Sequence, residues 1–253
     1  MITNYHRPQT LEEALALIGR PEPKTLPLGG GTLLSHRQSD SYDLVDLQAL
    51  DLNQIKKVGK NLEIGAATCL QQILTDRNCP EALRVAIKLE APLNTRNAAT
   101  AAGTFVVADG RSTFATTLLA LDSKFSIQPN DQEILIGNLL PLRESILFKK
   151  LITSIVIPLT VQLAFEYVSR TPADKPIVCV ALAQWPSGRT RLSLGGFGKA
   201  PILAMDGTES NGLESAARAA FMEAADDWAS AEYRQDAAAK LALRCLDKLN
   251  PRP

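Results

Sequence analysis

The stretch PLGGGTLLSHR, Pro27–Arg37, sets three successive glycines between an apolar run and a Thr. A dinucleotide fingerprint needs G-x-G-x-x-G. Gly29 and Gly31 meet its first two positions, but Leu34 stands at the third. A Walker loop needs Gly-Lys followed by Ser or Thr, and the stretch holds no lysine. Both common phosphate motifs therefore fail. Consecutive glycines still allow positive φ and close backbone approach. Their N–H groups can form an anion-binding nest, and Thr32 adds a hydroxyl. A tight turn from strand to loop is the plainer reading, and both readings stay open on this stretch alone.

The flanking sequence reads β-α-β. LEEALALI, Leu11–Ile18, has apolar residues at helical spacing. Thr10 followed by Glu13 forms a capping-box pattern, and Pro21 and Pro23 close the helix region. KTLPLGGG is expected to be a strand running into the glycines, and DLVDL, Asp43–Leu47, the next strand.

Further along, KKVGKNLEIGAAT is a hairpin candidate with its turn at GKN. Thr68 and Gln71 give a second capping-box pattern, opening CLQQIL. EALRVAIKL reads as a helix, ATTLLALDSKFSIQ as a helix or buried turn into a strand, and ILFKKLITSIVIP as a strand ending at Pro158. LAFEYVSR, KPIVCVALAQW and RTRLSLGGF suggest a three-stranded antiparallel sheet. From Gly212 the chain is Ala-rich and helical, with Pro251 as its stop. A soft domain boundary is expected near Val161 and Gln162.

At 253 residues the chain has room for one large domain or two to three small ones. Lys plus Arg and Asp plus Glu both total 27, so nothing in the charge balance favours nucleic acid or an anionic membrane. The N-terminal residues lack the pattern of a signal peptide, and no apolar run is long enough to span a bilayer. A cytoplasmic setting is expected. Cys69, Cys79, Cys179 and Cys245 are widely spaced and read as reduced, structural thiols. With two histidines, His6 and His36, a two-His metal site or a Ser–His triad is not expected.

A second small-residue stretch is NTRNAATAAGTF, Asn94–Phe105. Arg96 and Asn97 offer donors there, and Thr100 and Thr104 offer hydroxyls. LSLGGFGKA lacks P-loop spacing and reads as a strand end with a turn, leaving Lys199 solvated. Asp43, Asp46 and Asp51, like Asp226 and Asp227 in the Ala-rich region, read as solvated faces. Phe165 and Tyr167 are expected on opposite faces of a strand, one in a core and the other free to cover a planar ligand.

Taken in order, several stretches resemble the flavin-binding subunit of molybdenum hydroxylases, the family that includes carbon monoxide dehydrogenase and xanthine dehydrogenase. GGGTLL resembles the family's A-G-G-T-D-L loop, and NTRNAATAAGTF its I-R-N-x-G-T-x-G-G loop. DLVDLQALDLNQI, NLEIGAATCLQQIL, LLALDSKFSI, KKLITSIVIP and RLSLGGFGKAP resemble the stretches around them. The order of these matches, over nearly the whole chain, is the specific signal.

The resemblance implies an α+β fold: two subdomains of the vanillyl-alcohol-oxidase type, residues 1–55 and 56–161, then a C-terminal domain, 162–253, of three antiparallel strands and a helical cluster. It implies FAD between the subdomains. The first diphosphate loop is then Leu28, Gly29, Gly30, Gly31, Thr32, Leu33 and Leu34. The second is Arg96, Asn97, Thr100, Ala102, Gly103 and Thr104. Phe165 matches a position beside the isoalloxazine ring, and Thr113 one that holds the flavin's polar chain. The implied activity is that of an oxidoreductase subunit, with no catalytic acid or base of its own. Iron–sulfur clusters and the molybdenum cofactor are implied on partner chains, a small and a large subunit.

The chain departs from the family pattern at three places. Ala99 and Ala102 stand where glycines are usual, and a Cβ at either could crowd a diphosphate or exclude positive φ. The family usually has a Pro near Gly110 and an Asp near Thr113, and this chain has neither there. A second reading is therefore a flavin-deficient structural or assembly subunit on the same fold. A third is a nucleotide-binding regulatory domain unrelated to redox.

Overall fold

A computed structural model describes residues 1–34 and 40–250. His36, the end of the opening stretch and the proposed stop at Pro251 lie outside the described residues. The N-terminal sheet is parallel, in the order β1 (Ile2–His6), β3 (Tyr42–Asp46), β2 (Thr25–Leu28). Helix α1 (Leu11–Gly19) is capped as its sequence dictates, with the Glu13 N–H donating to Thr10 Oγ1 at 3.2 Å. It buries Ala14 and Ile18 against Val45, Leu47 and Leu151.

The central sheet has the order β4 (Ile55–Val58), β5 (Asn61–Gly65), β8 (Leu151–Pro158), β6 (Lys124–Gln128), β7 (Gln132–Leu135). Its hairpin β4–β5 turns at Gly59, whose φ of +58° suits glycine. Between β5 and β6 run α2 (Leu70–Thr75), α3 (Glu81–Glu90), α4 (Leu93–Arg96), α5 (Ala101–Val106) and α6 (Thr113–Ala120). The small-residue stretch 94–105 is thus partly helical, taken up by the end of α4 and by α5. Between β7 and β8 lie α7 (Ile136–Leu139), a 3₁₀ turn (Leu140–Leu142) and α8 (Arg143–Ile146). The main core forms where α2, α3, α5 and α6 pack on the sheet around Phe105, Phe114 and Phe125.

All eight residues of α6 are buried. Its threonines tolerate this because Thr116 and Thr117 donate to the carbonyls of Ser112 and Thr113, one turn back, at 2.7 and 2.8 Å.

The C-terminal sheet contains the three expected strands, β9 (Gln162–Val168), β10 (Val178–Gln184) and β11 (Thr190–Gly195). A fourth, β12 (Ile202–Gly207), pairs antiparallel on the free edge of β11. Helices α9 (Leu213–Ala220) and α10 (Ala231–Leu249) cover one face. Arg234 of α10 is fully buried and donates to the carbonyls of Ala224 and Ala229, at 2.7 and 2.9 Å, and to Asp226.

Four local expectations are corrected. Phe165 and Tyr167 share a face, as residues two apart in a strand must, and their rings lie 6.2 Å apart. The box at α2 is shifted by one residue. Cys69 is the N-cap and its N–H donates to Gln72 Oε1 at 2.9 Å, while Thr68 is buried behind it. Asp43 and Asp46 are not solvated but buried in β3. Asp43 sits among His6, Asn4 and Arg20, and its hydrogen bond to His6 above all holds its carboxyl below the usual carboxylate range. Asp226 lies outside any helix, in the turn between α9 and α10.

Candidate functional site

The two small-residue loops meet. A Cβ on Gly30 would collide with the Ala98 carbonyl oxygen, and one on Gly29 would stand 2.7 Å from Thr100 Oγ1. Neither position accepts a larger residue without separating the loops. Gly31 follows at φ +69°, where glycine is at ease. Leu28 ends β2, which pairs with β3, so the first loop leaves the sheet in a fixed direction. Thr32, Leu33 and Leu34 continue in a turn, with Thr32 and Leu33 exposed.

The second loop is held from behind. The N–H groups of Ala101 and Ala102 donate to the carbonyls of Thr68 and Ala66, at 2.8 and 3.0 Å. Thr100 caps α5, its hydroxyl accepting from the Gly103 N–H at 3.2 Å. Ala99 and Ala102 pack on the main core, and neither is among the residues with positive φ. Neither position therefore needs a glycine's φ, and both methyl groups pack on the core.

Where the loops touch, an open cleft of about 770 Å³ forms. Gly29, Gly30, Asn97, Ala98 and Thr100 supply its floor. Its walls carry Arg7, Gln48, Asn53, Gln71 and Gln72, together with Cys69. Burial pushes the Cys69 thiol above its ordinary value and keeps it neutral.

The remaining expected residues lie apart from this cleft. Arg96 donates to Gln71 Oε1 at 3.0 Å and to the Ala91 carbonyl at 2.8 Å, so it braces Gln71 and the end of α3. Thr104 is buried, and its hydroxyl has no hydrogen-bond partner among the described residues. Thr113 is fully buried at the start of α6 and donates to the Ala86 carbonyl at 2.6 Å. Phe165 is buried among Ala86, Ala120, Cys179 and Ala181.

Two contributors escaped the sequence reading. Arg7 lies in YHRP, next to the scarce His6, and carries no motif signal. Glu90 ends α3 without any motif of its own. Its Oε2 accepts from Ser112 Oγ and the Phe114 N–H, each at 2.9 Å, and from Thr113 Oγ1 at 3.2 Å. A carboxylate at the start of α6 suits the helix dipole. The only advance signal was the need of that buried helix end for an acceptor.

The turn in LSLGGFGKA grips the segment just before α6. Gly110 N–H donates to the Gly198 carbonyl at 2.9 Å, and the Gly196 N–H donates to the Gly110 carbonyl at 2.6 Å. A proline at 110 would lose the first bond, and any Cβ there would strike the Phe197 carbonyl.

No helix among the described residues is long and apolar enough to cross a membrane. Three comparisons place the chain among known proteins. It is 27% identical over 242 residues to an uncharacterized protein, YgfM, of Escherichia coli K12, covering 93% of this chain and 92% of that one. Its fold is similar to a chain of reconstituted CO dehydrogenase from Oligotropha carboxidovorans, with a TM-score of 0.82, 22% identity and full coverage of both chains. It is also similar to a chain of quinoline 2-oxidoreductase from Pseudomonas putida 86, with a TM-score of 0.81, 19% identity and 98% and 97% coverage. Residues 1–160, both sheets that flank the cleft included, match the family described as the FAD binding domain in molybdopterin dehydrogenase, and the chain belongs to that family.

Proposed function

We propose that this chain is the FAD-binding, electron-transferring subunit of a cytoplasmic molybdenum hydroxylase complex, built as units 1–55, 56–161 and 162–253. In this reading a small partner chain with iron–sulfur clusters delivers electrons, and a large partner chain holds the molybdenum cofactor and the substrate. The flavin supplies the exchange between single-electron donors and an external acceptor. The protein's part is to bind, orient and shield.

The contact of the two glycine-type loops carries the proposal. It brings the backbones of Gly29, Gly30 and Ala98 to one cleft floor, where added side chains would not fit. Gly31, Asn97 and Thr100 stand beside them, and the buried hydroxyl of Thr104, without a partner among the described residues, lies on the same helix as Gly103. These residues fit a diphosphate. The sealed positions Thr113 and Phe165 favour the second reading, a structural or assembly subunit lacking flavin. Copurification with both partner chains separates the two: bound flavin in the complex supports the first, and an intact complex without flavin supports the second.

A further inference from the structure

Polar side chains, not apolar burial, hold β1 to its sheet. None of its residues is buried, and Ile2 and Tyr5 are 49% and 57% exposed. Its ladder with β3 is irregular between Ile2 and Tyr5. β3 beside it is buried at all five positions, and β2 on the far side is half-buried throughout.

The polar ties of β1 end on the two buried carboxylates of β3. Asn4 Nδ2 donates to Asp43 Oδ1, and His6 Nε2 stands beside Asp43 Oδ2, each at 3.0 Å. The Tyr5 hydroxyl donates to Asp46 Oδ2, and Arg7 Nε lies 3.8 Å from the same oxygen. Both carboxylates also have partners outside β1. Arg20, at the end of α1, donates to Asp43, and the Gln48 N–H donates to Asp46 at 2.9 Å. Lifting β1 therefore leaves neither carboxylate unpaired, so the opening escapes the penalty of an orphaned buried charge. Pro8, just beyond, is buried, and its ring restricts the backbone there. It anchors the strand at one end.

We propose that residues 2–7 form a strap that opens as one unit about Pro8 while β2 and β3 stay paired, carrying Arg7 out of the cleft wall that it lines. The strap acts in this way whatever ligand the cleft takes.

The test is amide hydrogen exchange of the full chain, read residue by residue by NMR. Two neighbouring amides of β3 separate the outcomes. The Tyr42 N–H donates to the Met1 carbonyl on the β1 side, and the Asp43 N–H to the Lys24 carbonyl on the β2 side. Protection at Tyr42 should be about a hundredfold below that at Asp43, since a local opening requires far less free energy than a global one. Low urea should leave the Tyr42 rate unchanged, because a strap exposes little surface. Tyr5→Phe should speed Tyr42 exchange about tenfold, the worth of one charge-assisted hydrogen bond, and leave Asp43 unchanged. Tyr5 is tied to the other end of β3, so this response shows the strap moving as one. Arg7→Ala should speed Tyr42 exchange about two- to fivefold, the worth of a half-exposed ion pair. A melting curve confirms that each variant is folded, and the comparison of Tyr42 with Asp43 in the natural chain needs no variant. Equal protection at the two amides overturns the strap. So does a Tyr42 rate that follows urea as the core does and ignores Tyr5→Phe. A response to Tyr5→Phe with none to Arg7→Ala removes Arg7 from the moving unit and overturns its link to the cleft.

Discussion

The Thr113 hydroxyl lies 3.2 Å from Glu90 Oε2, the oxygen that also accepts from Ser112 Oγ and the Phe114 N–H. The start of α6 therefore already has its carboxylate, supplied from α3 and not from position 113. Lys175 Nζ stands 3.9 Å from the other Glu90 oxygen and ties the C-terminal sheet's loop to the same point.

Replacing Thr113 by Asp would set a second buried carboxylate against Glu90. Like charges at this separation in a buried site cost about 2–4 kcal/mol. Thr113→Asp should lower thermal stability and leave FAD affinity unimproved. Glu90→Gln added to Thr113→Asp should recover most of the loss, as read by denaturant titration. Tighter FAD binding in the single variant would show that position 113 faces the ligand after all.

The pairing of Glu90 with Thr113 was not legible because the two lie far apart in sequence and neither belongs to a motif. Much else was legible. The glycines at 29–31 and the small residues at 97–103 announce close backbone approach, and the structure brings these loops together. The strand β12 was missed because ILAMDG is half-buried at all but the exposed Asp206 and lacks clear alternation. The solvated reading of Asp43 and Asp46 failed because their partners, His6, Arg20 and Tyr5, come from other elements. At Ala99 and Ala102 the sequence shows a change from glycine but not where the methyl group packs. Here the backbone has ordinary φ at both positions and the methyl groups fill the core.

Gly30→Ala should push the two loops apart, since its Cβ meets the Ala98 carbonyl, a backbone atom that cannot swing away. A loss of about 1–3 kcal/mol is expected from overpacking, with nucleotide binding abolished. Gly31→Ala should be milder, about 1 kcal/mol, because it meets only a Leu28 methyl and a positive φ. Equal effects at the two positions would argue against the contact of the loops.

Ala99→Gly and Ala102→Gly should bring no gain in FAD or ADP affinity. Each should cost about 1 kcal/mol through added backbone freedom and a lost core methyl. Isothermal titration beside a urea melt checks both, and a tenfold gain in affinity at either would show that the methyl group faces the cleft.

Asp226 gives the fold an acid sensitivity. Desolvation raises its pKa, but the Arg234 guanidinium and the N–H groups of Trp228 and Ala229 outweigh it and hold the group at about 2. A depressed carboxylate contributes stability above its unfolded pKa, about 3.9, and loses it as pH falls toward the folded value. Asp226→Asn should therefore be less stable than the natural chain near neutral pH. The difference should shrink as pH drops from about 4 to about 2, in urea titrations at each pH. A gap that stays constant with pH would show that the ion pair with Arg234 is not its source.

The most direct measurement is the visible absorption spectrum of the purified chain after incubation with excess FAD and removal of unbound ligand. The two-loop cleft calls for a yellow protein with an oxidised-flavin band at one flavin per chain, lost in Gly30→Ala. A natural chain that stays colourless, folded by its melting curve and unable to quench FAD fluorescence, would contradict a flavin-binding function.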